Sequence, residues 1–495
     1  MKTPLHVTFG MPSNRENALS WLSPLETSCK RSLEEFDLKL TKLVVFAISL
    51  ALAPLSQAQH APAAAPKLAP RPPMGWNSWD SYGLRVNEQQ FRENVSSLVS
   101  KLKPAGYDYA VIDEGWFLKN PESRPHPELL QYELDANGRY IPVPVRFPSA
   151  LVNGKNVGFT PVGRWVHSQG LKFGIHIVRG IPRESVKQNL PIEGSKFTVT
   201  DAADQTDACP WDPTNWGVKD TPAGQAWYDA LLKQYASWGV DFLKVDCISD
   251  HPYKVSEIKQ IKLAIQRSGR PIVLSLSPGP TAIEHAEEVI SLSQMWRISN
   301  DIWDVWETKA SFPRTVKDQF ALAAQWSKFA GPGHWPDADM LPVGELRPSP
   351  DVGPGPRHTR LTPAEQRTHL SLWAFARSPL IVGANLTLLD DATVSLLTNK
   401  EILRIDQTAT ASRQVLHEGD TIVWTADLPG GQYAVGVFNV GDSPASFQRD
   451  LTALQLPAGK FHLRNAWQGS EELGASKIDV KLDPHSTAVF LLQRN

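Results

Sequence analysis

The chain has 495 residues, 41% of them hydrophobic and 21% charged, the mix of a soluble globular protein with one large domain and a smaller one. A formal net charge of −2 supplies no global field for nucleic acid or an anionic membrane. Three Cys, with no HxxxH or CxxC spacing, argue against zinc, and no cofactor is expected.

In chain order, residues 43–55 (LVVFAISLALAPL) form a short apolar run. Lys39 and Lys42 precede it, and the small residues Ser56 and Ala58 follow. The run is too short to span a bilayer and predicts a leader over 1–58 with a secretory signal peptide, hence a secreted or periplasmic protein. The charged stretch 1–37 is long for such a leader, and a start further downstream is an alternative. Residues 59–70 are rich in Ala and Pro and predict a flexible linker. Cys29 lies in the leader, which leaves Cys209 and Cys247. In an exported protein these two can form one disulfide, and the sequence leaves that pairing open.

From residue 71 one phrase repeats. Strands are predicted over 74–79, 107–113, 172–178, 240–246, 272–277, 294–299, 333–339 and 380–383. Between them the apolar residues recur at helical spacing, as over 88–102, 225–238, 255–267, 315–329 and 364–377, and a last helical stretch covers 391–399 and runs toward Asp406. Eight such units predict a (β/α)₈ TIM barrel over 71–407. The period changes near 408. Strands at 421–426, 432–439, 445–451, 460–465, 477–482 and 487–492, split by turns such as Pro429-Gly430-Gly431, predict a small antiparallel β-sandwich over 408–495.

A barrel of this kind holds its site at the strand C-termini. Those ends carry Trp76, Asn77 and Trp79; Asp113, Glu114 and Trp116; His176 and Arg179; Lys244, Asp246 and Cys247; Ser275 and Ser277; Arg297, Asp301 and Asp304; and His334, Trp335, Asp337 and Asp339. Carboxylates and cations that bind hydroxyls, beside aromatics that cover ring faces, suit a saccharide pocket. Glycoside cleavage needs two carboxylates from different strands, one to attack the anomeric carbon and one to protonate the leaving oxygen. Asp246 beside Lys244 suits the nucleophile, because a cation favours the ionised form. Asp301 suits the acid, and that role asks for a neighbouring negative charge or a drier setting. Asp304 could orient Arg297. His334, Asp337 and Asp339 offer a rival cation site on one loop, but cleavage by paired carboxylates requires no metal. A sugar-binding protein on a dead barrel is the rival from another class, and it predicts loss of a catalytic carboxylate, yet both are present.

The segments PPMGWNSWDSYG (72–83), YAVIDEGW (109–116), FLKVDC (242–247), WRISNDI (296–302) and GHWPDADML (333–341) together resemble the motifs of glycoside hydrolase family 27, the α-galactosidase or melibiase family. The likeness covers about 70–490. It implies a retaining exo-glycosidase releasing terminal α-galactose from an oligosaccharide or polysaccharide, with Asp246 as nucleophile and Asp301 as acid/base. It further implies Trp79 stacked on the sugar, Asp113 and Glu114 on the distal hydroxyls, and Lys244, Arg297 and Asp339 lining the pocket. Homo-oligomerisation is left open. The C-terminal domain shows no sugar-binding motif of its own and is expected to buttress the barrel.

Four departures bear on specificity. The family's Asp-Asp pair is Asp113-Glu114 here, and the extra methylene advances a carboxyl by roughly an ångström. That crowds a hydroxymethyl at C5 and suits a pentopyranose such as β-L-arabinopyranose. His176 stands where members often carry Tyr. The loop SLSPGP (275–280) lacks a bulky aromatic, so Ser277 and Gly279 leave room for an N-acetyl group at C2. Cys247 directly follows the nucleophile, one position earlier than the family's Cys, so the family pattern does not settle a Cys209–Cys247 bridge.

Overall fold

The structure, a computed structural model, describes residues 67–494 apart from 213, 251 and 348–354. The expected leader (1–58) and the first part of the Ala/Pro stretch lie outside the described residues.

Eight short strands form one curled parallel sheet: β1 (Met74–Asn77), β2 (Tyr109–Ile112), β3 (Lys172–Val178), β4 (Phe242–Asp246), β5 (Val273–Leu276), β6 (Met295–Arg297), β7 (Trp335–Asp337) and β8 (Leu380–Val382). Their order is β7-β6-β5-β4-β3-β2-β1-β8. Leu341, just past β7, closes the ring. Its N–H donates to Ile381 O at 2.8 Å and its carbonyl accepts from Gly383 N at 3.2 Å. Helices α1 (Glu88–Ser97), α2 (Thr160–Ser168), α3 (Pro222–Trp238), α4 (Val255–Ser268), α5 (Ala286–Leu292), α6 (Gln319–Trp326), α7 (Pro363–Ala376) and α8 (Asp391–Leu397) follow strands one to eight in turn. This is the predicted (β/α)₈ barrel. Its strands are covered on both faces, which is why they read as apolar runs rather than alternating ones.

Local chemistry sets the helix ends. At α3, Thr221 caps the Gly224 N–H, Pro222 opens the first turn, and Gly239 ends the helix at φ 84°, a left-handed value that costs a glycine little. At α7, Thr362 and Glu365 form a reciprocal capping box.

The end of the Ala/Pro stretch does not run free. Ala69 is buried, and its carbonyl accepts from Trp335 Nε1 at 2.9 Å and from Gly333 N at 3.0 Å. Ala69 packs with Tyr109, Phe242, Val273, Met295 and Trp335 at the floor of the barrel. Apolar contact and two otherwise unpaired donors hold this part of the expected linker in place.

After α9 (Lys400–Thr408) the chain turns into an antiparallel domain. It comprises β9 (Thr410–Glu418), β10 (Thr421–Leu428), β11 (Gln432–Asn439), β12 (Ala445–Asp450), β13 (Phe461–Asn465), β14 (Glu471–Ala475), β15 (Lys477–Leu482) and β16 (Thr487–Arg494). The main sheet runs β9-β10-β11-β16-β13-β14, and β12 pairs with β15. Period-two alternation serves both faces of the main sheet. Ile422, Trp424, Ala434 and Phe438 belong to the core that includes the barrel helices, whereas Val423, Val435 and Val437 pack with Phe447 and Ile478 of the second sheet. Strands β9 and β14 were not predicted. Both are edge strands with at most one buried residue, so neither carries the alternation that marks a half-buried strand.

At Gly75, paired with Tyr109 across β1 and β2, an added Cβ would strike the Tyr109 backbone. A Gly75→Ala variant must therefore spread the two strands that bring Asn77 to Asp113. We expect a loss of about 3 kcal/mol, the upper part of the overpacking range, read as a lowered Tm in thermal denaturation. An unchanged Tm would refute the crowding.

Candidate active site

The strand register brings the polar ends together. Lys244 and Asp246 lie two apart on β4 and so share a face; they sit beside His176 and Val178 of β3. On the other side Arg297 of β6 is level with Asp337 of β7. Between them opens a cavity of about 490 Å³, whose walls include Trp79, Asp113, Glu114, Lys244, Asp246, Ser277, Arg297, Asp301 and Asp339.

Asp246 is fixed from behind. One of its carboxylate oxygens accepts from Cys247 N at 2.6 Å, and the other lies 3.4 Å from His176 Nε2. Cys247 holds φ 62°, a left-handed value that a residue with a Cβ keeps only where its surroundings insist. They do. Cys247 is disulfide-bonded to Cys209, and its carbonyl accepts from Arg179 Nε at 2.6 Å. Arg179 is buried and pairs with Asp207 at 3.0 Å and Glu257 at 2.7 Å. The disulfide that the sequence left open is thus formed, and it ties the end of the short strand Ala203–Ala208 to the residue after Asp246.

Arg297 Nη2 reaches Asp339 at 2.7 Å and Asp301 at 3.2 Å. Asp339 also accepts from Ile302 N and Met340 N, each at 2.8 Å, and it too has a positive φ, 89°. The two sequence conditions for Asp301 separate here. A second carboxylate stands across the shared guanidinium, but the setting is not dry, because the Asp301 side chain is 42% exposed against 17% for Asp246. Asp304 does not orient Arg297. Its carboxylate is taken by Arg357 at 2.7 Å and Arg360 at 3.1 Å.

Lys244 Nζ pairs with Asp113 at 3.0 Å, and Asn77 Nδ2 donates to the same oxygen at 2.7 Å. Burial alone would raise the Asp113 carboxyl, yet Lys244 and His176 hold it well below the usual carboxylate range. Burial likewise opposes the charge on Lys244, but Asp113 and, at longer range, Asp246 push it above the ordinary lysine value. The cation expected beside Asp246 thus serves two carboxylates and touches Asp113. Arg297 is held above its ordinary value against burial by Asp339, Asp301 and Asp337.

Glu114 is held by loops. Its Oε1 lies 3.6 Å from Arg124 Nη1, and Arg124 also pairs with Asp212 at 2.9 Å. Burial and the adjacent Asp212 carboxyl, to which it is hydrogen-bonded, push Glu114 well above the usual range, while Asp212 stays below it.

Two expectations shift. His176 lies behind Asp246, is 1% exposed and forms no part of the cavity wall. Gly279 makes no room for a substituent either, because it packs against the Ser299 backbone; Ser277 and Pro278 line that side. The rival cation site does not assemble. His334 Nδ1 faces Phe329 O at 2.8 Å, and no metal-holding cluster occurs among the described residues. Several wall residues escaped the sequence reading, chief among them Asp80, Arg124, Trp211, Trp303 and Phe312. Asp80 directly follows Trp79 in the first motif and Trp211 follows Cys209 closely, whereas Phe312 lies in a loop with no signal.

Paired carboxylates from separate strands, around a sugar-sized hollow at the mouth of a (β/α)₈ barrel, define a glycosidase. Family models agree. Residues 214–408 match the model described as alpha galactosidase A, and 418–492 match the alpha galactosidase C-terminal beta sandwich domain. The chain is 39% identical to a β-L-arabinopyranosidase of family 27 from Geobacillus stearothermophilus, with a TM-score of 0.80 over 86% of this chain and 97% of that one. It is 29% identical to alpha-galactosidase A of Cellvibrio japonicus over 92% of this chain and 99% of that protein, and 28% identical to the alpha-galactosidase of Cyamopsis tetragonoloba over 86% and 87%. The chain belongs to glycoside hydrolase family 27.

Asp80 yields a test of the electrostatics. It is 3% exposed, faces the cavity, and is pushed well above its ordinary 3.8 by burial, with Asp339, Asp301 and Asp113 adding and Lys244 opposing. Above pH 3.8 the unfolded chain releases a proton that the folded chain keeps, so stability falls as pH rises toward the folded value. Asp80→Asn removes that penalty. We expect a higher Tm than wild type at neutral pH, with the gap closing as the pH falls below the ordinary aspartate range. A gap that is constant with pH would show that Asp80 carries no raised pKa.

Proposed function

We propose that the protein is a retaining exo-glycosidase that releases a terminal sugar of galactose configuration. The observation that carries this reading is that Asp246 and Asp301, from β4 and the loop after β6, line one cavity in unlike settings. Asp246 is the more enclosed and is locked by a backbone donor, as an attacking carboxylate should be. Asp301 is half-exposed and faces outward, as suits a group that protonates a departing oxygen and later takes a proton from water. In the first step the Asp246 carboxylate forms a bond to C1, the C1–O bond to the leaving group breaks, and Asp301 gives that oxygen its proton. In the second, Asp301 takes a proton from water, the water oxygen bonds to C1, and Asp246 is released. Lys244 and Asp113 are placed to bind hydroxyls, and Trp79 to cover a ring face. The α-galactosidases among the relatives support the galactose configuration.

Glu114 favours one member of that class. Its longer side chain is pinned between Arg124 and Asp212 and cannot easily withdraw from a C5 substituent. β-L-Arabinopyranose keeps the galactose ring configuration without the hydroxymethyl, and the 39% identical relative is a β-L-arabinopyranosidase. Secretion is the matching reading for location, supported by the apolar run 43–55 and by the Cys209–Cys247 disulfide, since disulfides persist in oxidising compartments.

Asp246→Ala and Asp301→Ala should each lower kcat/KM for an aryl α-galactoside or β-L-arabinopyranoside by about 10³-fold with unchanged circular dichroism. Azide added to Asp246→Gly should give a glycosyl azide of inverted anomeric configuration, and added to Asp301→Gly one of retained configuration. The reverse pattern would exchange the two roles. Glu114→Asp should shift the arabinopyranoside-to-galactoside ratio of kcat/KM toward galactoside by at least about tenfold, the scale of one methylene in a pocket. A constant ratio would remove Glu114 from specificity.

A further inference from the structure

Two aromatic residues of the cavity wall stand apart from the rest of the exposed apolar surface. Nine large apolar residues are exposed among the described residues, and only two of them are aromatic, Trp211 at 39% and Phe312 at 53%. Both line the catalytic cavity. A partly exposed aromatic ring offers a ligand apolar surface to cover, and two on one cavity wall are unlike the scattered aliphatic residues elsewhere.

Both aromatics are placed by fixed backbone. Trp211 follows Cys209, whose disulfide ends beside Asp246, and its carbonyl accepts from Arg124 Nη2 at 3.3 Å. Phe312 lies two residues before Arg314, whose N–H donates to the Asp301 carbonyl at 2.9 Å. The same loop is closed again where Val316 N donates to Val305 O at 3.1 Å. One aromatic is therefore tied through the backbone to each of the paired carboxylates.

We propose that Trp211 and Phe312 form the leaving-group subsite and select a neutral ring with an apolar face, either a pyranose or a phenolic ring, in the position next to the bond that is cut. This rests on the reading of the cavity as a glycosidase site. The departing oxygen lies at Asp301, the half-exposed member of the pair. Whatever it is attached to leaves along the wall that carries Phe312 and Trp211. A leaving group without a ring has no surface to offer them.

The test compares leaving groups at constant glycone, with Trp211→Ala, Phe312→Ala and Trp211→Phe in the full chain. The substrates are the p-nitrophenyl glycoside, a disaccharide with a hexose leaving group, and the glycosyl fluoride. Each Ala variant should lower kcat/KM about tenfold, one 1.4 kcal/mol step, for a ring-bearing leaving group, chiefly through KM, and less than about threefold for the fluoride. Trp211→Phe should recover most of the loss. A loss on the aryl glycoside alone assigns the subsite to phenolic rings, and a loss on the disaccharide alone assigns it to sugars. An equal loss on the fluoride would mean a structural role and overturn the proposal, as would no loss on either ring. If wild type cleaves none of the three, the glycosidase reading fails separately. The subsite is then judged by equilibrium binding to Asp246→Ala, where Trp211→Ala must weaken the p-nitrophenyl glycoside about tenfold and the free sugar much less. Equal weakening would overturn it.

Discussion

Two largely enclosed cations, Lys244 and Arg297, make this site physically tenable. Asp80, Asp113, Glu114, Asp246, Asp301 and Asp339 crowd one hollow, and ionising so many carboxyl groups away from bulk water is strongly unfavourable unless each charge is met. Lys244 meets Asp113 at 3.0 Å and acts on Asp246 at longer range; Arg297 meets Asp339 at 2.7 Å and Asp301 at 3.2 Å. Each cation thereby serves one half of the pocket and one member of the paired carboxylates. Burial and neighbouring carboxyls push Asp80 and Glu114 upward, and push Asp339 upward even beside Arg297. Carboxyls pushed up and carboxyls held down thus stand side by side in one hollow.

Around that core, the backbone is fixed where the chemistry requires it. The left-handed residues Cys247 and Asp339 each stand in the strand-end loops of the pocket. Cys247 is held by the disulfide and by Arg179, whose own charge is met by Asp207 and Glu257. The C-terminal domain reaches the same rim indirectly. His485 stacks on Trp306 at a centroid distance of 4.6 Å and also lies 2.7 Å from Glu365, the capping residue of α7. Trp306 belongs to the loop that carries Phe312. The sandwich therefore braces an active-site loop as well as closing the barrel's helical core through Trp424 and Phe438.

The sequence made the inner half of the site legible because that half is built at strand ends. A strand fixes side-chain direction by a period of two, so Lys244 and Asp246 had to share a face once the strand was placed, and Asp113 and Arg297 followed by the same rule. The eight strands themselves were readable because burial on both faces leaves apolar runs. The outer half was not legible in this way. Arg124 and Phe312 sit on long loops, and loop position depends on contacts distant in sequence, such as Arg124 with Asp212. His176 shows the limit from the other direction. It lies at the correct end of its strand, yet it is buried behind Asp246, because the bond to the carboxylate and not the strand end decides what reaches the cavity.

This division has a consequence for how specificity is distributed. In the proposed reading the glycone is met by residues on or next to barrel strands, whose positions are shared with the scaffold and cannot move without disturbing β1, β2, β4 and β6. Glu114 is the exception: its backbone belongs to the strand end, but its carboxyl is gripped by Arg124 and Asp212 from two loops. It stands where scaffold and loop meet, so a change in either loop can move its carboxyl without touching Asp246 or Asp301. Trp211 shares that loop with Asp212, two residues from Cys209. The same short segment thus bears on both the glycone, through Asp212 and Glu114, and the proposed leaving-group wall, and the disulfide couples both to the backbone of Asp246.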